Sequence, residues 1–539
     1  MPALNHPATF DHIGMISVRI GQHQSQVDLI ELPVNHPDLH MHRQLNLPPT
    51  PVRPLVHSGK LGRFPPRPAA PAKTREASPV RLTSHADSSN AGQEKILCYD
   101  ADLMSRGHVR VTRLTQRLLP DARRTITRFL WPGTEQRARA IVERVEGLSD
   151  AQVGHLVSTT LLDFGHRHLD IRDVLTAHFE EASQRAKLST DPGDDRRLLI
   201  GAYFTMEYAY ESAALFNPSM VPSPEQDGVA PGCTRFLMSL RAVGEGHISS
   251  IVFRRGVIDE AGGISIDPIS PRSRQMHVIE DPTYIKRVFR LKTIEMGAYN
   301  EQVTPILDRL GEDFSLGQLL DVIEAVRPKP ESSAFEETVE CLTWLARSNY
   351  QLKLPTETDT ASLVIFPFSE NEEQGMEDMR LVRFEDDDRS VRYFGTYTAY
   401  NRHRVLPQIL EVARPPIAKI HTLNGRFAQN KGMAVFPRRL DGGYAAIARA
   451  DGENLYLVKS DSIRFWNEGS LIRVPTHSWE FVQIGNCGSP IETPDGWLLL
   501  THGVGPMRRY CIGAILLDLQ DPTKVIGALP YPLMVPVAD

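Results

Sequence analysis

The apolar positions between about residues 105 and 190 recur with the period of an α-helix. Thr134 stands where a side-chain oxygen caps a helix, Gly147 stands where a helix ends, and Ser149 caps the helix that follows. The apolar face of the first of these helices consists of Ala138, Ile141, Val142 and Val145. We therefore predict a small helical module over residues 91–195, and its pattern carries packing information but no chemistry.

From about residue 198 onward the pattern changes to short apolar strands separated by turns rich in Asp, Gly and Pro. Typical strands are "HISSIVFRRG" and "RYFGTYTAY", and a typical turn is "EDDDRS". Many short strands at near-regular spacing are typical of sandwiches, barrels and propellers. A helical pattern interrupts the strands at about 283–352. The sequence therefore predicts a mainly β domain over residues 196–539 that contains a helical insertion.

Residues 1–90 are rich in Pro, His and Ser and have little apolar periodicity. Such a segment cannot bury enough apolar surface to offset the entropy of ordering, so we predict a disordered tail. The histidines of "HPDLHMHRQ" lack Cys or carboxylate partners at ligand spacing, and we expect no metal there.

Composition narrows the class of protein. The chain has 539 residues, 41% of them hydrophobic, and a formal charge of -6, which does not indicate a nucleic-acid or membrane-surface binder. It has no apolar run long enough to span a bilayer and no signal-peptide pattern at its start. Five widely spaced cysteines without CxxC pairs favour reduced thiols. We therefore expect a cytoplasmic protein.

Polar side chains gather at the ends of the predicted strands. In "GMEDMR", Glu377 and Asp378 precede a strand, and "GTYTAYNRHR" leads from tyrosines to a basic cluster. A Glu-Asp pair before a strand is usually a solvated turn, and strand tyrosines usually fill a core. Because only one face of a strand can line a pocket, we expect Tyr397 or Tyr400 as a wall residue. Composition alone indicates the polar rim of a β-fold, with a sugar or anion site.

The order of these motifs resembles glycoside hydrolase family 130, which comprises β-mannoside phosphorylases and some β-mannosidases. The resemblance runs from about residue 195 to the C-terminus, without the helical insertion, and the helical module resembles the one in longer members. The stretches that carry the resemblance are "ESAALFNPSMV", "RFLMSLRAVGEGHISSI", "GMEDMR", "NKGMAVFPRR" and "GSPIETPDGWLLLTHGVGPMRRY".

The resemblance implies a five-bladed β-propeller with a sugar pocket at its centre. The family's Glu-Asp-Pro-Arg motif matches "EDMR", so Asp378 falls on the general acid and Met379 replaces the usual proline. In the family, this acid is thought to protonate the leaving oxygen through the mannose 3-hydroxyl, while the nucleophile attacks the opposite face and inverts the anomeric centre. The role requires a protonated carboxyl at Asp378 that faces a wall of cations.

A phosphorylase positions a phosphate dianion with cations and needs no carboxylate base. The hydrolytic members of the family tend to replace these cations with glutamates, whereas this chain retains basic residues at family-like positions. We therefore expect inverting phosphorolysis of β-1,2- or β-1,4-linked manno-oligosaccharides to mannose 1-phosphate. The expected phosphate-binding residues are Lys431, Arg449, Arg402 and His502. The expected substrate-binding residues are Asn217, Arg241, Glu245, His247, Glu377, Arg380, Tyr397, Tyr400, Asn430 and Tyr510.

Two other functions stay open on the sequence alone. An inverting β-mannosidase would use a carboxylate such as Glu245 or Glu377 to activate water. The second is a carbohydrate-binding relic without activity. It stays open because the sequence stops at "LPYPLMVPVAD", where the resemblance implies about another blade of strands. An incomplete last blade would leave an open strand edge that a partner or a homo-oligomer would have to cover.

The remaining expectations concern what the reaction needs. We expect no metal and no organic cofactor, with inorganic phosphate as a co-substrate. The expected partners are a manno-oligosaccharide and phosphate, and neither nucleic acid nor a membrane. The sequence does not indicate the linkage or the acceptor sugar.

Overall fold

The structure is a computed structural model that describes residues 13–19, 110–188, 192–279, 283–329, 332–354, 359–401, 405–414 and 417–536. Most of the predicted tail, with its "HPDLHMHRQ" stretch, lies outside the described residues. In the described part of the chain, no helix has both the length and the apolar character that crossing a bilayer requires.

The helices predicted near the start of the described chain are confirmed, together with their caps. The Thr134 hydroxyl accepts a hydrogen bond from the Arg137 backbone at 3.2 Å, and Ser149 forms a reciprocal capping box with Gln152. Both caps satisfy backbone donors that the start of a helix leaves open. The elements of this region are β1 (Ile13–Arg19), β2 (Arg110–Leu118), β3 (Thr125–Phe129), α1 (Glu135–Glu146), α2 (Asp150–Phe164), α3 (Ile171–Ala186), α4 (Asp194–Tyr203) and β4 (Thr205–Ala209).

An antiparallel meander follows the helices and precedes the helical insertion. The meander consists of β5 (Ala214–Pro222), β6 (Thr234–Val243), β7 (Ser249–Ile258) and β8 (Ile264–Ile266). The insertion packs around its own core, in which Phe289, Leu319 and Leu342 are buried. The insertion and the short strands beside it are β9 (Arg274–Gln275), β10 (His277–Ile279), β11 (Tyr284–Ile285), α5 (Lys286–Glu295), α6 (Val303–Asp308), β12 (Asp313–Phe314), α7 (Leu316–Val326), α8 (Ser333–Arg347), β13 (Tyr350–Lys353) and β14 (Leu363–Ile365).

Further antiparallel meanders make up the C-terminal part of the described chain. The second meander is β15 (Gly375–Glu385), β16 (Val391–Tyr400), β17 (Val405–Arg414) and β18 (Ile417–Thr422). The third is β19 (Ala434–Val435), β20 (Tyr444–Ala448), β21 (Leu455–Ser460) and β22 (Glu468–Arg473). The fourth is β23 (Gln483–Asn486), β24 (Ile491–Thr493), β25 (Gly496–Val504), β26 (Tyr510–Leu517) and β27 (Val525–Ala528). The predicted mainly β fold is confirmed.

The strands β5 and β17 are not predicted by the sequence pattern, because both contain proline. The stretch that forms β5 contains Pro218 and Pro222, and proline does not favour a strand when only the sequence is considered. Pro407 lies inside β17, where it pairs with Thr398 of the neighbouring strand. Proline within an apolar run argues against a strand when only the sequence is considered, because it removes a ladder donor.

The first and second meanders meet where β15 begins. Gly375 pairs in parallel register with Ser249 of β7 and in antiparallel register with Tyr400 of β16. Gly375 has φ +129°, and a Cβ added there would lie 2.5 Å from the Ser249 backbone nitrogen. Only glycine allows both this backbone conformation and this close approach. The junction therefore fixes the start of the strand that carries Asp378.

Gly375→Ala should lower the melting temperature sharply, because the new methyl group would collide with backbone atoms at a φ that alanine disfavours. We expect a loss of about 3 kcal/mol or more in the free energy of unfolding. Gly442→Ala is a matched control, since Gly442 has φ +76° but no atom within 4 Å of an added Cβ, and we expect it to cost about 1 kcal/mol. Thermal unfolding measures both, and equal losses would contradict the close approach at Gly375.

Candidate active site

The two carboxylates of the predicted acid motif lie at a bulge in β15. The register against β16 shifts between Glu377 and Arg380, and Asp378 has φ +56°. A bulge interrupts the alternation of side chains along a strand, so successive residues can face the same side. Adjacent residues of a regular strand face opposite sides, but at this bulge Glu377 and Asp378 both contact Arg241. The motif therefore forms a paired-carboxylate site and not a solvated turn.

A second bulge brings Asn217 to the same place. The register between β5 and β6 shifts between Phe216 and Ser219, and Asn217 has φ +46°. The Asn217 side-chain amide donates a short hydrogen bond to Asp378. Left-handed backbone outside glycine is uncommon and often marks a functional site. Here the left-handed backbone directs the Asn217 side chain of the first meander and the Asp378 side chain of the second toward each other.

Arg241 connects the carboxylates to β7. Its Nη2 lies 2.7 Å from Glu377 Oε1, its Nη1 lies 3.3 Å from Asp378 Oδ1, and its Nε donates to Ser249 Oγ at 2.9 Å. The guanidinium also lies 5.9 Å from the centre of the Phe216 ring. This planar group is therefore held in one orientation by contacts on several sides.

Lys431 reaches the carboxylates from the segment before β19. Its ammonium forms an ion pair with the second oxygen of Glu377 and lies 5.7 Å above the Tyr400 ring. Burial alone would lower the pKa of Lys431, but Glu377 and Asp378 raise it above its ordinary value. Glu377 is thus ion-paired through both of its oxygens, to Arg241 and to Lys431.

The charge state of Asp378 differs from the expectation. Burial alone would raise the pKa of its carboxyl, but Arg241, Lys431 and Arg380 hold that pKa well below its usual range, aided by the Asn217 hydrogen bond. The side chain is 19% exposed. These charges favour an ionised Asp378, so the expectation of a protonated carboxyl is wrong for the site as it stands.

A second group of basic residues lies near the carboxylates. Arg449 Nη1 lies 3.3 Å from His502 Nε2, and His502 Nδ1 lies 3.1 Å from the Asn486 carbonyl. The Tyr510 ring stacks on His502 with 5.9 Å between ring centres. Burial, then the charges of Arg449 and Arg380, lower the pKa of His502 to about 3. His502 is therefore neutral, and its carbonyl contact places the proton on Nδ1.

Arg380 links the two groups. It is buried, with 4% of its surface exposed, and its charge acts on Asp378, Arg449 and His502. Burial lowers the pKa of Arg449, whereas Tyr510 and Asp378 raise it. The structure thus brings together most of the predicted residues, and the charges of Asp378 and Arg380 both act on Arg449 and His502.

The hairpins that carry Arg241 and His502 turn in the same way. Gly244 and Gly505 have nearly the same backbone angles, with φ -105° and ψ -158° in the first and φ -103° and ψ -161° in the second. Arg241 and His502 each lie three positions before that glycine. Two meanders therefore place corresponding residues at the site. The signal in the sequence is the shared Val-Gly of "RAVGEG" and "HGVGPM".

Other predicted residues lie apart from the carboxylates and make contacts of their own. Glu245 is exposed on the β6–β7 turn, and its Oε1 accepts a hydrogen bond from the Ala209 backbone at 3.1 Å. His247 is exposed on the same turn. Asn430 is exposed, has φ +58°, and donates to the Ala450 carbonyl at 2.6 Å. Asn430 thereby ties the segment of Lys431 to the loop that follows Arg449.

The placement of Tyr397 at the pocket wall is wrong. Its side chain is 3% exposed and lies in the hydrophobic core, and its hydroxyl lies 2.7 Å from Glu372 Oε1 and 3.0 Å from Gln408 Oε1. Tyr400, three residues later, lies on the opposite face of β16, as the strand alternation requires, and contacts Lys431. Arg402 lies outside the described residues, so its phosphate role stays a prediction.

Two contributors to the site were missed. Ser249 orients Arg241, and the Asn486 carbonyl orients His502. Ser249 lies in the quoted stretch "RFLMSLRAVGEGHISSI", but neither residue has a charged side chain that marks it as a site residue, so the fold is needed to identify both. A separate cleft, between α5 and the end of β18, contains none of the predicted site residues and is lined in part by Phe289, Lys292 and His421.

Comparisons with known proteins find similarity over part of the chain. Residues 351–539 match the family model of glycoside hydrolase family 130, described as beta-1,4-mannooligosaccharide phosphorylase. The chain is 29% identical over 182 residues to a beta-1,2-mannobiose phosphorylase of Listeria innocua, which covers 32% of this chain and 49% of that protein. It is 35% identical over 108 residues to a 1,2-beta-oligomannan phosphorylase of a Thermoanaerobacter species, which covers 20% of this chain and 36% of that protein.

A solved structure of the Listeria innocua beta-1,2-mannobiose phosphorylase with beta-1,2-mannobiose aligns with a TM-score of 0.30 and 18% identity, over 60% of this chain and 78% of that chain. The chain spans about half the length, or less, of the curated relatives it matches. The family-model match and these relatives agree, and the resemblance to glycoside hydrolase family 130 is confirmed over residues 351–539.

Proposed function

We propose that this protein is an inverting β-mannoside phosphorylase that converts β-1,2- or β-1,4-linked manno-oligosaccharides and phosphate to mannose 1-phosphate. The observation that carries the proposal is that Glu377 is ion-paired through both oxygens to Arg241 and Lys431, with Arg449 and His502 nearby. A hydrolase needs a carboxylate base for water. Glu377 is held by two cations, and Glu245 holds a backbone amide, which favours phosphate as the nucleophile.

Phosphate binding is assigned to the basic side of the site. Lys431 and Arg449 would donate to the phosphate oxygens, and Arg402 is proposed as a further donor. His502 is proposed to act through Arg449, whose guanidinium its Nε2 accepts from and orients. Guanidinium and ammonium groups are the usual donors to phosphate, and positioning the dianion lowers the entropic barrier to attack. Neutral His502 has its Nε2 beside Arg449, so a phosphate would compete for that guanidinium.

Asp378 is proposed as the general acid, and phosphate binding explains how an ionised carboxyl can serve. A dianion on Lys431 and Arg449 offsets the cationic field that keeps the pKa of Asp378 low, so the pKa rises when the site is filled. The acid gives its proton to the leaving oxygen, through the mannose 3-hydroxyl as the family resemblance implies. The phosphate oxygen bonds to the anomeric carbon as the glycosidic bond breaks, and the proton of HPO₄²⁻ replaces the one transferred.

The sugar is proposed to lie between Asp378 and the cations. Asn217, Arg241, Glu377 and Arg380 surround the acid, and Tyr400 and Tyr510 would form apolar walls. Glu245, His247 and Asn430, which lie on exposed turns and loops, are proposed to contact more distant parts of the oligosaccharide. No metal or organic cofactor enters this scheme, and dialysis against EDTA should leave the rate unchanged.

The architecture that goes with this function is a five-bladed β-propeller with a central pocket. The antiparallel meanders support it, as do the left-handed residues Asn217, Asp378 and Asn430 near the first strands of three meanders. A cytoplasmic location and a homo-oligomeric state stay predictions.

The test is incubation with β-1,2- and β-1,4-mannobiose, each with and without inorganic phosphate. Phosphate-dependent mannose 1-phosphate supports the proposal and identifies the linkage. Mannose released at the same rate without phosphate would show a hydrolase, and sugar binding without turnover would show a binding protein.

Lys431→Ala should raise the KM for phosphate by about 10- to 100-fold, the loss expected for one charge-assisted contact. It also removes a cation that lowers the pKa of Asp378. That pKa rises, so Asp378 keeps its proton to higher pH, and the high-pH limb of kcat/KM for the sugar moves upward. Lys459→Ala is the control, since Lys459 pairs with Asp441 at the surface. An unchanged KM and an unmoved limb would contradict both roles of Lys431.

A further inference from the structure

A buried carboxylate that the proposed mechanism does not use lies six residues before the acid. Glu372 has no exposed surface. Its oxygens accept hydrogen bonds from the hydroxyls of Tyr350 at 3.0 Å and Tyr397 at 2.7 Å, and from the backbone of Phe368 at 3.1 Å and Ser369 at 3.0 Å. These donors, all within the described residues, are uncharged hydroxyl and backbone N–H groups. Several donors are what a buried carboxylate needs in place of a cation.

These donors come from parts of the chain that are far apart in sequence. Tyr350 begins β13, directly after the helical insertion, and Tyr397 lies in β16. The neighbouring Asn371 donates to the hydroxyl of Ser348, the C-cap residue directly after α8. Gln408 of β17, which lies beside the Tyr397 hydroxyl, donates to the Ser348 carbonyl at 2.6 Å. Glu372 is therefore the centre of a buried network that ties the end of the insertion to the second meander.

The same network fixes the start of the acid-bearing strand. Two residues after Glu372, the Gln374 backbone donates to the Tyr400 carbonyl at 2.9 Å. Gly375 then pairs with Ser249, the residue that orients Arg241. The bulge with Asp378 follows three residues later. The backbone between Glu372 and Asp378 is therefore held by pairing at Gln374 and at Gly375.

We propose that Glu372 is a positioning residue: its carboxylate couples the docked end of the helical insertion to the segment that carries Asp378. Asp378 holds its orientation only while the insertion is docked through this network. The kinetic consequence rests on the proposed function, because it concerns the acid step. A displacement of about 1 Å at a reacting group can cost about 10²-fold in rate.

Glu372→Gln replaces one acceptor oxygen with an amide donor in a site that supplies only donors at these positions. We expect kcat to fall by about 10- to 100-fold, with little change in the KM for phosphate, since the cations stay in place. We also expect faster hydrogen exchange in residues 373–380 and 346–350 together. The matched control is Glu480→Gln, because Glu480 is equally buried and accepts from Arg473 and from the Thr476 and His477 backbones. It should lower the melting temperature without these effects.

Tyr397→Phe is the second variant, in case Glu372→Gln does not fold. It removes one donor and keeps the ring, so a several-fold loss in kcat is expected. An unchanged kcat and unchanged exchange in the Glu372 and Tyr397 variants would overturn the inference, as would an equal loss of kcat in Glu480→Gln. If the wild-type protein shows no phosphorolysis but exchange still rises in both segments, the proposed function fails and the coupling stands.

Discussion

Asp378→Asn is expected to reduce turnover of β-mannobiose by about 10²- to 10⁴-fold, the contribution typical of a positioned acid. Asparagine has nearly the same shape and still accepts the hydrogen bond from Asn217, so the fold and the sugar KM should change little. The substitution removes the proton that the leaving oxygen needs. It also removes the negative charge of the unfilled site's Asp378, but Glu377 stays paired with Arg241 and Lys431. Steady-state kinetics with mannobiose at saturating phosphate measures the loss.

The leaving group gives this prediction a sharper form. In an aryl β-mannoside made from an acidic phenol, the phenolate leaves without being protonated. The loss of rate caused by Asp378→Asn should therefore be much smaller on that substrate. Asp388→Asn is the control, because Asp388 lies on the exposed turn between β15 and β16. A variant at position 378 with near-normal rate on mannobiose, or with the same deficit on both substrates, would show that the acid is assigned wrongly.

Arg449→Gln is expected to raise the KM for phosphate by about 100-fold, which corresponds to about 2.7 kcal/mol. Arg449 is partly buried beside His502, so water screens its charge less than it would at the surface when phosphate enters. The fall in kcat/KM for phosphate should exceed any fall in kcat at saturating phosphate. Initial rates over a range of phosphate concentrations measure this.

Arg438→Gln provides the comparison, since Arg438 pairs at the surface with Glu492 at 2.5 Å. It should leave the phosphate dependence unchanged. If Arg449→Gln bound phosphate as well as the parent protein, the assignment of the basic side of the site to phosphate would be wrong.

The parts of the fold that local chemistry decides could be predicted from the sequence. Thr134 and Ser149 cap helices with their own side chains, and the Asp- and Gly-rich turns separate strands whose apolar residues are contiguous. The strand β17 could not be predicted, because Pro407 argues against a strand in the sequence. In the structure, hydrogen-bonded pairing with β16 over most of its length stabilises the strand despite the donor that Pro407 lacks. Tertiary contacts decide such cases, and one sequence does not display them.

The site followed the same division. The motif "EDMR" indicated Asp378, but the left-handed bulge that places Glu377 and Asp378 on one side depends on pairing with β16. The sequence could not decide whether Tyr397 or Tyr400 lines the site, because that depends on which face of β16 packs on the core. In the structure Tyr397 lies in the core and Tyr400 contacts Lys431. The ionised state of Asp378 was also out of reach, because it results from cations that three separate segments supply.

The central claim is that Asp378 and a bound phosphate act on opposite faces of one mannose ring. The most direct test is an NMR time course of the wild-type protein with β-mannobiose and phosphate. Attack from the face opposite the leaving group predicts α-mannose 1-phosphate as the first product, formed in equal amount with the released sugar. First formation of the β-anomer, or of mannose with no phosphate ester, would contradict the account.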